Sequence, residues 1–262
     1  MTAIPTGPTG SPQAPAGQAQ PGEPGDFGHV ERALVIVAHP DDVDFGAAGT
    51  IATFTAAGTE VTYTIVTNGD AGGFDPSVPR SDIPGIRQAE QRAAAAEVGV
   101  KDVRFLGYRD GQLTVTYELR RDLSRVIRQV RPQRVLVPSP ERNWERVPAS
   151  HPDHLAAGEA AIQAVYPDAR NPFAHPELLS DEGLDAWTVP EVWVMGGPKP
   201  NRFVDITEVF DAKVAALRAH ESQTGHRNDL SEMLRTWGGR LAQMGGLPEG
   251  RLAEAFMAVQ IP

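Results

Sequence analysis

The chain has no cysteine, which removes disulfides, thiolate metal sites and a cysteine nucleophile together and fits a reducing cytoplasm. Lysine is nearly absent: Lys101, Lys199 and Lys213 are the only three, so arginine supplies almost all of the 24 basic residues. Acidic residues outnumber them at 34, for a formal net charge of −10. That balance argues against a nucleic-acid binder, which would carry a basic face, and offers no polybasic contact to a membrane. No apolar run approaches the roughly 18 residues of a transmembrane helix. The first residues also lack the basic and apolar regions of a secretory signal. Residues 1–28 instead hold six Pro and six Gly. Such a segment buries too little apolar surface to offset its ordering entropy and reads as a flexible tail.

Residues 29–262 read as a single domain, long enough to bury a sizeable core. Apolar runs of strand length fall at 32–38, 61–67, 103–108, 134–138 and 191–195, with a shorter one at 203–206. Helical stretches alternate with them at 46–57, 86–98, 117–130, 154–165 and 209–220. The chain after His220 reads as mixed and helical. The alternation implies an α/β fold, Rossmann-like, with a mostly parallel sheet and helices on both faces. In such sheets ligands bind beyond the carboxyl ends of the strands.

The chemistry gathers at two of those ends. The first strand runs directly into "AHPDDVDFG" (38–46), and the stretch after the fourth strand contains "SHPDH" (150–154). His39 and Asp42 can turn toward one point around the Pro40 elbow. His151 and His154 have the same spacing at a helix start and share a face. Two histidines, one carboxylate and an open position suit a hydrolytic zinc ion, which lowers the pKa of water to roughly 7. One further acidic group is then needed to take the proton, which explains two adjacent aspartates. The plain alternative is a helix cap, since Asp favours the N-cap and Pro the first turn. It accounts for one motif but not for two with complementary ligands.

These residues resemble the LmbE-like, PIG-L superfamily of zinc-dependent N-deacetylases. The resemblance extends through "TNGDAGG" (67–73), "IRQAEQRAAAAEVGV" (86–100), "FLGYRDG" (105–111) and "RAHESQ" (218–223). It implies that His39, Asp42 and His154 hold Zn²⁺ or another divalent ion and that Asp41 is the general base. His151 would be a general acid or oxyanion donor, with Asp153 orienting its ring. Arg87 and Asp110 would contact a sugar-like substrate, and Asp70 would lie near the site. Where many members carry Glu after the Asp pair, this chain has Val43 and then Asp44. The implied activity is hydrolysis of a small N-acyl, chiefly N-acetyl, amide in the cytoplasm: an amino sugar, a thiol conjugate or a secondary metabolite. No anchoring segment supports an inositol phospholipid substrate.

The rivals are a Rossmann-like nucleotide-binding protein and a metal-binding scaffold without turnover. "HPDDVDFG" in place of a glycine-rich phosphate loop opposes the first, because carboxylates repel a pyrophosphate. The presence of both Asp41 and His151 opposes the second. Among the remaining residues, His29 is expected to be solvated, His175 to cap or pack in a loop with some reach to substrate, and His220 and His226 to sit on a helix dipole. Trp144 is expected at the pocket wall.

Overall fold

Strand β1 (Arg32–Val37) divides the core between the two sides of a sheet. Ala33, Val35 and Val37 pack on one side, Leu34 and Ile36 on the other, all fully buried. That two-sided burial is why β1 reads as an unbroken apolar run. The computed structural model describes residues 28–145, 147 and 150–262; the expected tail, apart from Gly28, lies outside them.

After β1 come α1 (Asp42–Ala56), β2 (Glu60–Thr67), α2 (Ile83–Glu97), β3 (Asp102–Tyr108), α3 (Tyr117–Val130), β4 (Arg134–Pro138) and α4 (Pro152–Gln163). The chain continues through a short α5 (Glu177–Ser180), β5 (Glu191–Met195), β6 (Arg202–Asp205), α6 (Phe210–Ala219), α7 (Glu221–Thr224), α8 (Leu230–Met244) and β7 (Ala253–Gln260). The sheet order is β3-β2-β1-β4-β5-β7-β6, with β1 to β5 parallel. The α/β, mostly parallel expectation holds.

Helices α1, α2, α6 and α8 cover one face, where Ile51, Ala95, Leu217 and Leu234 join the core. Helices α3 and α4 cover the other through Leu119, Leu123, Ile127 and Ala160. Two places depart from expectation. Helix α1 begins at Asp42 rather than Gly46, so the first motif is itself the start of the helix. The C-terminal stretch is not only helical, because β7 inserts antiparallel between β5 and β6.

Strand order reverses between β1 and β4: the chain moves outward through β2 and β3, then returns to the far side of β1 for β4. Such a switch point opens a crevice beyond the strand ends. β1 and β4 are hydrogen-bonded neighbours, with Val35 opposite Leu136, so their C-terminal loops emerge side by side. Helix α4 is pressed hard against that end. A Cβ on Gly158 would collide with the Pro138 carbonyl oxygen.

Candidate active site

The two sequence motifs meet. His39 Nδ1 lies 3.2 Å from His154 Nε2, and the Asp42 carboxylate reaches both, at 3.5 Å from His39 Nδ1 and 3.0 Å from His154 Nε2. His39 extends from the end of β1, Asp42 opens α1, and His154 stands in the first turn of α4. His39 Nε2 faces the other way, 3.1 Å from Asp153 Oδ2 and 3.2 Å from Asp110 Oδ1. With Nε2–H donating to these carboxylates, Nδ1 presents its lone pair toward Asp42 and His154. That is the carboxylate–histidine arrangement that orients a metal ligand. Two ring nitrogens and a carboxylate at such spacing need a positive charge among them, either a proton or a metal ion, so the donor set fits a divalent cation. His39, His151 and His154 also gather within reach of one ion, as do His39, Asp110 and Asp153. The molecule has a candidate metal site.

The charges respond accordingly. Burial alone would lower the His39 pKa, but Asp110 and Asp42 raise it to about 11. Burial would raise Asp42, yet His154 and His39 hold it well below the usual carboxylate range. Burial also opposes a charged His154, and Asp42 outweighs it. Asp41 is different. Burial dominates and, although Arg87 opposes it, pushes its carboxyl up to about 7.

Asp41 occupies the N-cap position of α1 with φ of 88°, and its side chain makes no capping bond. A left-handed backbone is unfavourable for a non-glycine residue and is characteristic of functional sites. The helix-cap alternative therefore fails for this residue, whose carboxylate is directed elsewhere. Its N–H donates to Gln91 Oε1 at 2.8 Å, and Arg87 Nη2 lies 3.3 Å from Oδ2.

Arg87 and Asp110, expected to contact substrate, are buried and engaged with the motif. Arg87 donates to the Pro40 carbonyl at 2.6 Å and the Gly69 carbonyl at 3.1 Å. A Cβ on Gly69 would come 2.7 Å from its guanidinium, so the glycine admits the arginine. Asp110 accepts from Ala71 N–H as well as facing His39, which keeps its carboxyl below the usual range although burial opposes this. Both support the site. Asp70 is close by, accepting from Asp110 N–H and from Arg80.

The orientation expected for Asp153 is corrected. Its carboxylate accepts from Gly111 and Leu113 N–H and faces His39, not the His151 ring. Only its backbone N–H meets His151, donating to Nδ1 at 3.2 Å. The sequence spacing concealed this, because a residue two positions from His151 looks like its partner until β3's loop supplies the other donors. His151 thereby caps α4, and its ring lies 4.9 Å from that of His39. Burial, with His39 and His154 nearby, lowers its pKa.

His175 packs in its loop as expected, buried with Nε2 3.2 Å from Asp168, which also receives Arg120. Other expectations change. Trp144 is 80% exposed rather than packed at the wall of the groove beside Asp42 and His154. His220, expected on a helix dipole, is fully buried with Nε2 2.8 Å from Asp44 Oδ2. Asp44 and Gln91 went unassigned in the sequence. The signal for them was a carboxylate inside an otherwise apolar helix start and a histidine in "RAHESQ" with no partner nearby in sequence.

A family model described as PIG-L: GlcNAc-PI de-N-acetylase matches residues 34–165. A diacetylchitobiose deacetylase from Thermococcus kodakarensis is 37% identical, over 75% of this chain and 72% of the relative. A probable N-acetyl-alpha-D-glucosaminyl L-malate deacetylase 2 from Bacillus cereus is 35% identical over 73% and 83%. The solved N,N'-diacetylchitobiose deacetylase from Pyrococcus horikoshii superposes with a TM-score of 0.82 at 32% identity, covering 92% of this chain and 88% of that one. Fold and site thus define an enzyme of the N-deacetylase class. The chain belongs to the PIG-L family. Among the described residues no helix is long and apolar enough to cross a membrane.

Proposed function

We propose that the enzyme uses zinc, held by His39, Asp42 and His154, to hydrolyse the N-acetyl group of a small amino sugar, with Asp41 as the proton carrier. The observation that carries this reading is the convergence of those three donors beside a separate buried carboxylate. When bound, the ion would polarise the acyl carbonyl and acidify water.

The protein supplies the rest. Asp41 takes the proton as the water oxygen bonds to the acyl carbon. Arg87 fixes the carboxylate and balances its charge. His151 Nδ1 already accepts a backbone N–H, so a neutral ring carries its proton on Nε2. That N–H donates to the developing oxyanion, and the lowered pKa keeps the ring in this form. When the C–N bond breaks, the proton on Asp41 passes to the departing nitrogen, leaving acetate and a free amine. Asp153 and Asp110 hold His39 in its ligating tautomer throughout.

The test is incubation of the zinc-loaded enzyme with diacetylchitobiose and other N-acetylglucosamine derivatives, reading the freed primary amine. Release that stops with a chelator and returns with zinc supports the reading. Absence of amine release from every N-acetyl substrate would overturn it.

A further inference from the structure

Two cavities of opposite character stand out, and one of them reaches the candidate metal ligands. On the β2–β3 side, a cavity of about 590 Å³ is lined by polar groups including Asn68, Asp70, Arg80, Arg109 and Gln112. Of its lining residues, Asp70 accepts from Asp110 N–H, but none of the candidate metal donors lines it. On the β5–β7 side lies a groove of about 830 Å³ whose wall includes Asp42 and His154 themselves. Away from those two residues its lining is dominated by Phe45, Met195, Met233, Trp237, Leu241 and Met244. Four of these come from one stripe of α8. The charges on its floor, Lys213 and Glu254, are paired with each other; Arg227, at the rim, lies 4.0 Å from Asp229.

An amide centred on the metal ligands sends its two substituents in opposite directions, because the bond is planar and trans. A sugar amine carries hydroxyls that lose their hydrogen bonds in an apolar groove, so the amine part belongs outside it. The acyl part then runs along the apolar groove. An acetyl methyl fills only a small fraction of such a groove and leaves its apolar wall wet, whereas a chain of several methylenes covers it. Methionines suit this occupant, since their flexible thioethers adapt to chains of differing length.

We infer that the groove lined by Phe45, Met195, Trp237 and Leu241 is an acyl-chain subsite, and that the enzyme removes medium-length fatty acyl groups from an amino sugar better than acetyl. This rests on the amide-hydrolase reading above and specifies its substrate class.

The test crosses two substrate series on the zinc-loaded enzyme. One is glucosamine N-acylated with chains from acetyl to octanoyl; the other is N-acetylglucosamine bearing alkyl aglycones of the same lengths. The expected result is a rise in kcat/KM of about fourfold per buried methylene in the acyl series, with a flat aglycone series. Leu241→Arg, and separately Met244→Glu at the exposed mouth of the groove, should flatten the acyl series while leaving N-acetyl turnover near wild type. Acetyl turnover without a chain-length rise, or a rise confined to the aglycone series, would overturn the subsite and leave the hydrolase reading standing. So would Leu241→Arg dissociating an oligomer without changing the chain-length profile, because the groove would then be occupied by a second copy. No turnover in either series would count against the hydrolase reading itself.

Discussion

His220 Nε2 lies 2.8 Å from Asp44 Oδ2, and both side chains are fully buried. The contact joins the junction of α6 and α7 to the first turn of α1, 176 residues away. The same carboxylate oxygen accepts from Gln91 Nε2 at 2.8 Å, and Gln91 in turn receives the N–H of Asp41. Asp44 Oδ1 has no hydrogen-bond partner among the described residues. The left-handed backbone that aims Asp41 is thus tied to a histidine on the far end of the chain.

Removing His220 should therefore harm both stability and turnover. His220→Ala leaves a buried carboxylate with one donor, a loss of about 3 kcal/mol, or roughly 6–12 °C in Tm for a domain of this size. Thermal unfolding of the metal-free protein reads it directly. The turnover of whatever folded enzyme remains should fall through kcat with KM little changed, because the substrate surfaces are untouched. A variant with wild-type Tm and kcat would show that the contact supports neither.

Asp41 carries an opposite expectation for stability. Its folded pKa, about 7, stands above the ordinary 3.8, so the native state holds a proton that the unfolded chain has released between those values. Stability is then lost as pH rises from about 4 to 7 and stays lost above. Asp41→Asn removes the charge that burial penalises. It should raise the Tm of chelator-treated protein at pH 8, with the gain shrinking toward pH 4. With metal, the same variant should lose 10²–10⁴-fold in kcat at unchanged metal content. A variant that gains nothing at pH 8 would contradict the burial argument.

The parallel strands and their helices were legible in the sequence because apolar runs of five to eight residues and 3.6-residue periods are local signals. Strand β7 was not. Its buried Ala253 is followed by Glu254, whose charge looks exposed until Lys213 and the N–H groups of Gly49 and Thr50 are seen to donate to it. The proposed metal donors His39, Asp42 and His154 could be read because they lie in two compact motifs, one at the end of β1 and one at the start of α4. The supports could not be sorted. That Arg87 meets the Pro40 carbonyl depends on the course of the 68–85 loop, and whether Asp153 serves His151 or His39 depends on where β3's loop places Gly111. Both are tertiary facts with no local period.

Asp153 gives a test separate from the ligands. Its carboxylate receives two backbone N–H groups and faces His39 Nε2. Asp153→Asn should keep the three donors but weaken zinc binding by 10–100-fold, whereas His154→Ala should abolish stoichiometric zinc. Competition against a chromophoric chelator measures both. His39 in the metal-free protein is protonated up to about pH 11, so loading must expel that proton. Calorimetric titrations in buffers of different ionisation enthalpy should show proton release and affinity that climbs as pH rises. Binding with no proton released would mean that His39 is not a ligand.

His151 separates an oxyanion donor from a general acid. Its Nδ1 is occupied by the Asp153 N–H at 3.2 Å, and forming an imidazolium would put two donors face to face. The ring's lowered pKa agrees, with burial its largest cause and His39 and His154 adding to it. A neutral ring still donates from Nε2. His151→Ala should lower kcat by 10²–10³-fold, retain zinc, and leave the alkaline side of the pH–kcat profile as flat as in the wild type over pH 7–9. A general acid with an ordinary histidine pKa would instead impose a decline across that range in the wild type that the variant lacks. Finding such a decline would return the proton on the leaving amine to His151 and relieve Asp41 of its second task.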